Sequence, residues 1–296
     1  WQMASIREMR LRIKSVKSLA LVTRAMETVS ASKVRKAIQA NQASKPYSEK
    51  AWKVLLHLAR QPGHNNLHPL LNERSHVKRI LVIMISSDRG LAGSYNVNVL
   101  RNTLMTFDQF SQPVDYVCVG KKGRDLLLRR KANVIAEFSD LKNPASFLEI
   151  SPISRLIVDD FLNEGHDQFF LSYTEFNTMT KQENIIRKIL PLEVDYSGKG
   201  VNATHQAGSS VFSYEPDQKE LLDEIIPRFT AMQIFQAVLS SQASEEAARM
   251  IAMSNATENA NELSGILQLE YNKARQQSIT NDMLDIVGGA AAQTGQ

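Results

Sequence analysis

Both ends of the chain carry a heptad pattern, and this feature constrains the fold more than any other. Near the N-terminus, one series of residues is spaced seven apart, and a second series lies three residues after members of the first. The first series is Ile6, Ile13, Ala20, Glu27, Val34 and Asn41, and the second is Met9, Val16, Thr23, Ser30 and Ala37. A 3-4 spacing of this length predicts a coiled-coil helix. Its middle positions are small or polar, so the predicted seam is closely packed but weakly hydrophobic.

We expect this first helix to run from about residue 4 to about residue 60. It should end at Gln61-Pro62-Gly63, because proline cannot continue the helical hydrogen bonds and glycine favours a cap.

A second helical pattern runs from about residue 219 to about residue 287, interrupted only by Pro227 and Gly265. Its seam again has a 3-4 spacing: Met250, Met253, Thr257, Ala260, Ser264, Leu267, Tyr271, Ala274 and Ser278. Two long terminal helices with matching narrow seams predict an antiparallel coiled coil. The alternative is that each seam is the core stripe of a helical bundle, but the chain has no other long helical patterns to complete one.

Charge is distributed unevenly along the chain. Residues 1–45 carry ten Lys and Arg against two Glu, residues 46–218 carry 20 basic against 19 acidic residues, and residues 219–296 carry five against ten. Oppositely charged ends favour pairing of the two terminal helices. A basic start is also typical of transit peptides and nucleic-acid-binding arms. The acidic final helix argues against nucleic acid, and the lack of a sustained apolar region argues against a secretory signal.

The middle of the chain alternates short β-branched runs with amphipathic stretches, which predicts an α/β domain with a largely parallel sheet. Candidate strands are 79–86, 114–119, 133–138, 168–174 and 185–190, and candidate helices are 94–111, 121–131 and 145–163. Residues 191–218 should form an irregular connection or a further strand. The predicted domains are a coiled-coil helix at 4–60, an α/β domain at 77–216 and a coiled-coil helix at 217–290.

Two glycine-containing turns of this domain are candidates for anion binding, because a strand-to-helix turn offers free backbone N–H groups. The first, residues 86–96, matches neither G-x-G-x-x-G nor G-x-x-x-x-G-K-[ST], and it lacks the lysine of a phosphate loop. We therefore expect it to be a structural turn. The second, residues 119–124, is rich in glycine and lysine, and we interpret it as a solvated basic turn.

Other chemistry is sparse. Four histidines follow one another, at positions 57, 64, 68 and 76, but no cysteine and few carboxylates accompany them, which argues against a metal site. Asp159 and Asp160 should point in different directions on a helix, and Cys118 lies in an apolar strand, where an inert buried thiol is expected. A single cysteine excludes an intramolecular disulfide, and no apolar run approaches the roughly 18 residues of a membrane span. The sequence predicts a soluble chain from a reducing compartment, with no catalytic, cofactor-binding or metal site.

Several blocks of sequence resemble the gamma subunit of F-type ATP synthases. They are A-S-I-R-E-M-R-L-R-I-K-S-V-K (4–17), T-R-A-M-E-T-V-S-A-S-K-V-R-K-A (23–37), S-S-D-R-G-L-A-G-S-Y-N (86–96), V-G-K-K-G-R-D (119–125), S-E-E-A-A-R-M-I-A-M-S-N-A-T-E-N-A (244–260) and Y-N-K-A-R-Q-Q-S-I-T-N-D-M-L-D-I-V-G-G-A-A-A (271–292). The blocks follow the family order and span nearly the whole chain.

The resemblance implies a rotating central shaft: a bent coiled coil inside the ring of alpha and beta subunits, and a Rossmann-like middle domain near the membrane rotor. Ion flow would turn the membrane ring and the shaft, whose asymmetric surface would drive each beta subunit through its conformations. The implied partners are the alpha, beta and epsilon subunits and the membrane c-subunit ring, with no cofactor and no nucleic acid. The implied location is peripheral, at the cytoplasmic face of a bacterial membrane, with the mitochondrial inner membrane as the alternative.

The resemblance also implies contacts with the alpha and beta ring. Met26 falls at a family position facing a beta-subunit loop, and Arg249, Gln276, Thr280 and Asp282 fall in the family's contact set with the catch loop and neighbouring segments. Many relatives carry Glu where this chain has Asp282, so its carboxylate is shorter. Two other functions remain as hypotheses: a nucleotide-binding α/β enzyme using residues 86–96, and a coiled-coil nucleic-acid binder using the basic segment.

Overall fold

The structure, a computed structural model, describes residues 6–59, 69–71, 74, 76–192 and 218–294. Its two long helices are α1 (Ile6–Ala59) and α5 (Gln218–Thr294). The predicted long terminal helices are confirmed, and Pro227 and Gly265 do not interrupt α5. The predicted helix end at Gln61-Pro62-Gly63 and most of the segment at 191–218 lie outside the described residues.

The chain divides into two compact units. One comprises residues 31–248, and the other comprises residues 1–30 together with residues 249–296. Each long helix therefore contributes to both units.

The larger unit is built on a five-stranded sheet. Its strands are β1 (Ile80–Ile85), β2 (Val114–Val119), β3 (Asn133–Phe138), β4 (Gln168–Phe176) and β5 (Gln182–Leu190). They lie in the order β3-β2-β1-β4-β5. The first four strands are parallel, and β5 pairs antiparallel with β4 at one edge. The prediction of a largely parallel α/β sheet is confirmed.

Three shorter helices connect the strands. They are α2 (Tyr95–Phe107), α3 (Lys121–Arg129) and α4 (Phe147–Leu162). A short 3-10 helix, Pro69–Leu71, precedes β1. The helix α4 begins with a capping interaction, in which the Ser146 backbone N–H donates to Glu149 Oε2 at 2.8 Å. Hydrogen bonds from the Ser146 backbone, and weaker ones from its side chain and Lys142, lower the pKa of Glu149.

Alternate residues of β1 face two different hydrophobic cores, as the pleat of a strand requires. Leu81, Ile83 and Ile85 pack in the core that includes residues of α4 and α5. Ile80, Val82 and Met84 pack in the core that includes residues of α2 and α3. Because both faces of the sheet are covered, the central strand reads as a continuous apolar run.

The hairpin of β4 and β5 is longer than predicted. The antiparallel register extends to Phe176 opposite Gln182, and the backbone N–H of Thr178 donates to the Lys181 carbonyl at 3.0 Å in the connecting turn. The predicted strands ended at residue 174 and began at residue 185, because polar residues interrupt the apolar pattern there. Backbone pairing carries both strands through these polar positions.

Candidate functional site

The smaller unit contains an antiparallel helix pair, which we define as residues 6–30 of α1 and 249–294 of α5. Thr23 Oγ1 lies 2.7 Å from Thr257 Oγ1. Further along, Arg10 Nη2 donates to Tyr271 Oη at 2.7 Å, and the Arg10 guanidinium lies 5.7 Å from the centre of the Tyr271 ring. Positions earlier in α1 thus face positions later in α5, as an antiparallel coiled coil requires.

The seam of the helix pair consists mostly of small side chains, as the sequence predicts. Its buried residues are Ile13, Ala20, Thr23 and Ser30 on α1 and Met253 and Ala260 on α5. The hydroxyl of Thr257 donates to the Met253 carbonyl at 2.8 Å, so polar seam groups are satisfied within the helices as well as between them. Narrow side chains allow two helix backbones to approach closely, but they bury little apolar area.

Large apolar side chains outside this seam are exposed. On α1 they are Leu11, Leu19, Leu21, Val22 and Val29, and on α5 they are Leu263, Ile266, Leu269, Ile279, Met283, Leu284, Ile286 and Val287. Single exposed apolar residues are ordinary, whereas clusters of them mark interaction surfaces. The helix pair is therefore the candidate partner-binding surface of this chain.

Two of the predicted contact residues lie at nearly the same level of the helix pair. Met26 is half-buried, next to the seam position Glu27, and Arg249 is 6% exposed. Since Thr23 is opposite Thr257, the residue of α5 opposite Met26 is Ser254. Ser254 lies five residues from Arg249, or about 8 Å along the helix axis.

The other three predicted residues lie far from this pair. Gln276, Thr280 and Asp282 are all exposed on α5, and Gln276 is separated from Arg249 by about 40 Å of helix. Thr280 Oγ1 donates to the Gln276 carbonyl at 3.0 Å, and their spacing places both on one face. Asp282 follows Thr280 by two residues and projects from a different side. The five residues therefore form two separate sets.

Sequence reasoning missed the exposed apolar stretch that follows Ser278. Ile279, Met283, Leu284, Ile286 and Val287 are between 47% and 71% exposed. The signal was present in the sequence, because Ile279, Met283, Ile286 and Val287 have the i, i+4, i+7 and i+8 spacing of an apolar stripe on one helix face, which follows the last seam residue, Ser278.

The turn at residues 86–96 is closed by its own side chains. Asp88 Oδ1 accepts the backbone N–H of Lys121 at 3.1 Å, and Asp88 Oδ2 accepts that of Asp140 at 2.9 Å. Ser86 Oγ accepts the N–H of Gly123 at 2.9 Å. Asp88 thus binds the N-terminus of α3, and within the turn Asn96 Oδ1 accepts the backbone N–H of Ser87 at 3.0 Å. This geometry favours a structural role for the turn.

The second glycine-containing turn is more constrained than the predicted solvated basic turn. Gly120 has a φ of 105°, and a Cβ placed there would lie 2.4 Å from the Ser86 carbonyl oxygen. A Cβ at Gly123 would lie 2.4 Å from Ser86 Oγ. The side chain of Lys121 is 41% exposed, and its Nζ lies 2.7 Å from Asp140 Oδ2. The lysine is on the surface as predicted, but the two glycines permit close packing against β1.

A buried polar network that the sequence did not reveal lies near the amino ends of the strands. His166, 4% exposed, contacts Asp160 Oδ2 through Nδ1 at 2.6 Å and Asp115 Oδ2 through Nε2 at 2.9 Å. Burial alone would raise the pKa of Asp115, but hydrogen bonds from His166, Asn133 and Arg79 lower it. The partners are far apart in sequence, so no local motif marks them.

The remaining candidates offer no assembled chemistry within the described parts of the chain. No group of three or more His, Cys, Asp or Glu side chains is placed there to hold a metal ion. His64 and His68 lie outside the described residues, the side chain of His57 is not described, and His76 is exposed. Cys118 is buried, and burial, with a smaller effect of the Glu137 charge, raises the pKa of its thiol to about 12.

None of the described helices carries an apolar stretch long enough to cross a membrane.

Comparison with known proteins agrees with this architecture. A sequence model of the ATP synthase family matches residues 5–293. The chain is 45% identical to the ATP synthase gamma chain of Dehalococcoides mccartyi over 98% of its own length and 99% of that protein. It is 39% identical to the gamma chain of Legionella pneumophila over 98% and 100% of the two chains. A chain from the rotor of the Euglena gracilis mitochondrial ATP synthase has the same fold, with a TM-score of 0.64, 18% identity and coverage of 93% and 98%.

The fold and the exposed helix pair define a class of proteins in which long antiparallel terminal helices enclose, in sequence, a mostly parallel α/β domain. The chain belongs to the ATP synthase family and, within it, to the gamma chains.

Proposed function

We propose that this chain is the central rotating shaft of an F-type ATP synthase. In this role it couples ion flow through a membrane rotor ring to conformational cycling of the catalytic beta subunits, and it has no active site of its own. The observation that carries the proposal is the helix pair, which combines a narrow seam of mostly small side chains with an outer surface of exposed apolar and charged residues.

This surface suits a shaft that turns inside a sleeve. Binding hot spots are usually large aromatic or arginine side chains held in pockets, whereas the large exposed apolar side chains of the described helix pair are aliphatic or methionine, such as Leu21 and Ile286, and none is aromatic. Many weak contacts give no deep minimum at one angle. Rotation then needs only a modest driving free energy at each step.

Coupling requires that contacts at a few positions differ in strength between the conformations of the beta subunits. A partner that binds every conformation equally shifts the balance between none of them. We propose that Met26, Arg249, Gln276, Thr280 and Asp282 contact the alpha and beta ring and supply this bias. Their separation into two sets about 40 Å apart along α5 would place them at two levels of the sleeve.

The proposed partners are the alpha and beta subunits, an epsilon subunit and the membrane c-subunit ring. Membrane association would occur only through this complex, at the cytoplasmic face of a bacterial membrane. We also keep the division into coiled-coil helices at 4–60 and 217–290 and a Rossmann-like domain at 77–216 as a proposal about functional parts.

Reconstitution tests the proposal directly. Alpha and beta subunits are mixed with and without this chain, and ATP hydrolysis is measured together with the subunit ratio of the purified complex. We expect hydrolysis to depend on the chain, and alpha and beta to be present in about threefold excess. Equal hydrolysis without the chain would contradict the proposal. Stoichiometric nucleotide binding by the isolated chain would support the nucleotide-binding alternative instead.

A further inference from the structure

One segment of α5, within the larger unit, contacts the sheet through side-chain hydrogen bonds. Ser240 Oγ accepts the backbone N–H of Phe176 at 2.8 Å, and Ser241 Oγ accepts that of Thr174 at 3.2 Å. Ser244 Oγ donates to the Thr174 carbonyl at 3.4 Å. All three serines are buried, with exposures between 0% and 6%.

These serines bond to backbone groups of β4 that lie beyond the end of its pairing with β1. The pairing of β1 with β4 ends at Met84 opposite Ser172, whereas β4 continues to Phe176. The N–H groups of Thr174 and Phe176 point to the same side of β4, since alternate residues of a strand do so. A buried backbone group requires a partner, and serine hydroxyls from α5 supply it.

The adjacent residues of α5 bind the loop that connects β3 to α4 in the same unit. Gln242 accepts the N–H of Ala145 at 3.0 Å and donates to the Lys142 carbonyl at 2.7 Å, so one side chain bonds to two positions of the loop. Glu246 Oε1 accepts from Asn143 Nδ2 at 3.2 Å and from Lys33 Nζ of α1, also at 3.2 Å. The loop, α5 and α1 are thereby joined.

Hydrogen bonds fix the position of a helix more strictly than apolar packing does. Their strength falls steeply with distance and angle, whereas dispersion contacts between methyl groups re-form after a small slide. Displacing α5 by one residue moves each serine by about 1.5 Å along the axis. The fully buried Ala243 lies between Gln242 and Ser244, and the fully buried Ala247 lies one turn later; both leave room for close approach.

We propose that Ser240, Ser241, Gln242 and Ser244 form a torque joint, through which the α/β domain and α5 turn as one body. The joint rests on the rotor function proposed above and adds positioning residues to it. Its expected role is to prevent α5 from slipping against the sheet when rotation works against a load. Unloaded rotation places little demand on the joint.

The test uses complete ATP synthase containing this chain, reconstituted in liposomes. Three variants are compared: S240A/S241A, Q242L and the control S151A, which removes an exposed serine of α4. Two quantities are measured for each, namely ATP hydrolysis with an uncoupler present and the proton gradient that ATP-driven pumping sustains.

We expect uncoupled hydrolysis in all three variants to stay within about twofold of the parent, because the two serines are buried in the larger unit and single polar substitutions of this kind have modest effects. The sustained gradient should fall in S240A/S241A and Q242L but not in S151A. A structural defect alone would lower hydrolysis and pumping together. If S240A/S241A does not assemble into the complex, the sustained gradient of Q242L tests the proposal alone. Gln242 is only half-buried, so its substitution should disturb folding less.

Gradients equal to that of S151A in the assembled joint variants would overturn the joint and leave the rotor function intact. The failure of the rotor function has a different signature, because hydrolysis by the parent complex would then not require this chain at all.

Discussion

The hydroxyls of Thr23 and Thr257 lie 2.7 Å apart across the seam of the helix pair. They are central seam residues of two helices that the chain separates by more than 200 positions. A single polar contact inside a coiled coil can set its register, because a shifted alignment leaves the polar group without its partner. Moving α5 by one heptad would place Thr23 opposite Met250 or Ser264.

Thr257→Val should therefore destabilise the chain by about 1 kcal/mol. The substitution removes the hydroxyl that contacts the buried Thr23, while the side chain at position 257 keeps nearly the same size. The double variant T23V/T257V should lose less than the sum of the two single variants, because either single substitution already removes the contact between the two hydroxyls. Denaturant unfolding followed by circular dichroism measures each value.

Thr28→Val is the matched control for this cycle. Its hydroxyl also bonds to a carbonyl one turn earlier, that of Arg24 at 3.1 Å, but it is exposed outside the seam. Its stability should change little. Strict additivity of the T23V and T257V effects would show that the two hydroxyls do not interact energetically.

Met26→Lys should impair coupling more than folding. The side chain is half-buried beside the seam. We propose that an added cation there would form a new contact with an acidic loop of the beta subunit. One charge-assisted hydrogen bond of about 1.5 kcal/mol is enough to slow a step of rotation about tenfold. We expect ATP hydrolysis to continue while proton pumping per ATP falls.

Met105→Lys is the control for the introduced charge, because Met105 is 65% exposed on α2. It should pump like the parent. Unchanged pumping in Met26→Lys would remove Met26 from the proposed contact set.

Hydrophobic periodicity predicted the structure correctly wherever the signal lies in residues close together in sequence. The heptads predicted the seam of the helix pair, and apolar runs gave the bounds of β2 and β3 as observed. Backbone pairing extended β4 and β5 through polar residues such as Glu175 and Glu183, which a hydrophobicity pattern cannot anticipate.

Contacts between residues far apart in sequence could not be predicted from hydrophobic periodicity. His166 meets Asp115 across 51 residues, Ser240 meets Phe176 across 64, and Gly120 lies against Ser86. Each depends on which strands are neighbours in the sheet. The candidate contact residues came from family resemblance alone, and the grouping of Met26 with Arg249 followed only from the register of the helix pair.

Gly120→Ala should destabilise the larger unit. The substitution forces a side chain into a left-handed backbone conformation and places Cβ 2.4 Å from the Ser86 carbonyl oxygen. Strain and overpacking of this kind cost at least about 2 kcal/mol. Thermal unfolding measures the loss.

Gly90→Ala is the comparison variant, because a Cβ at Gly90 would meet no other group within 4 Å. It should unfold close to the parent temperature. Equal stability of the two variants would mean that β1 moves to accommodate the methyl group at position 120.

The acid stability of the larger unit should depend on Asp167. Its carboxylate accepts hydrogen bonds from Arg74 Nη1 at 2.7 Å and from the backbone N–H groups of Lys78 and Arg79 at 2.6 and 3.1 Å. Burial alone would raise the pKa of Asp167, but these hydrogen bonds and the Arg74 charge lower it.

A carboxyl whose pKa is lowered by folding stabilises the protein above its unfolded pKa of about 3.9, and this stabilisation disappears as pH falls through the folded pKa. Asp167→Asn should therefore be less stable than the parent at pH 7 by about 1–3 kcal/mol, with the difference shrinking in acid. Denaturant unfolding between neutral and strongly acidic pH measures it. The exposed Asp159→Asn should track the parent throughout. A constant gap between Asp167→Asn and the parent at every pH would show that the hydrogen bonds to Asp167 do not depend on its charge.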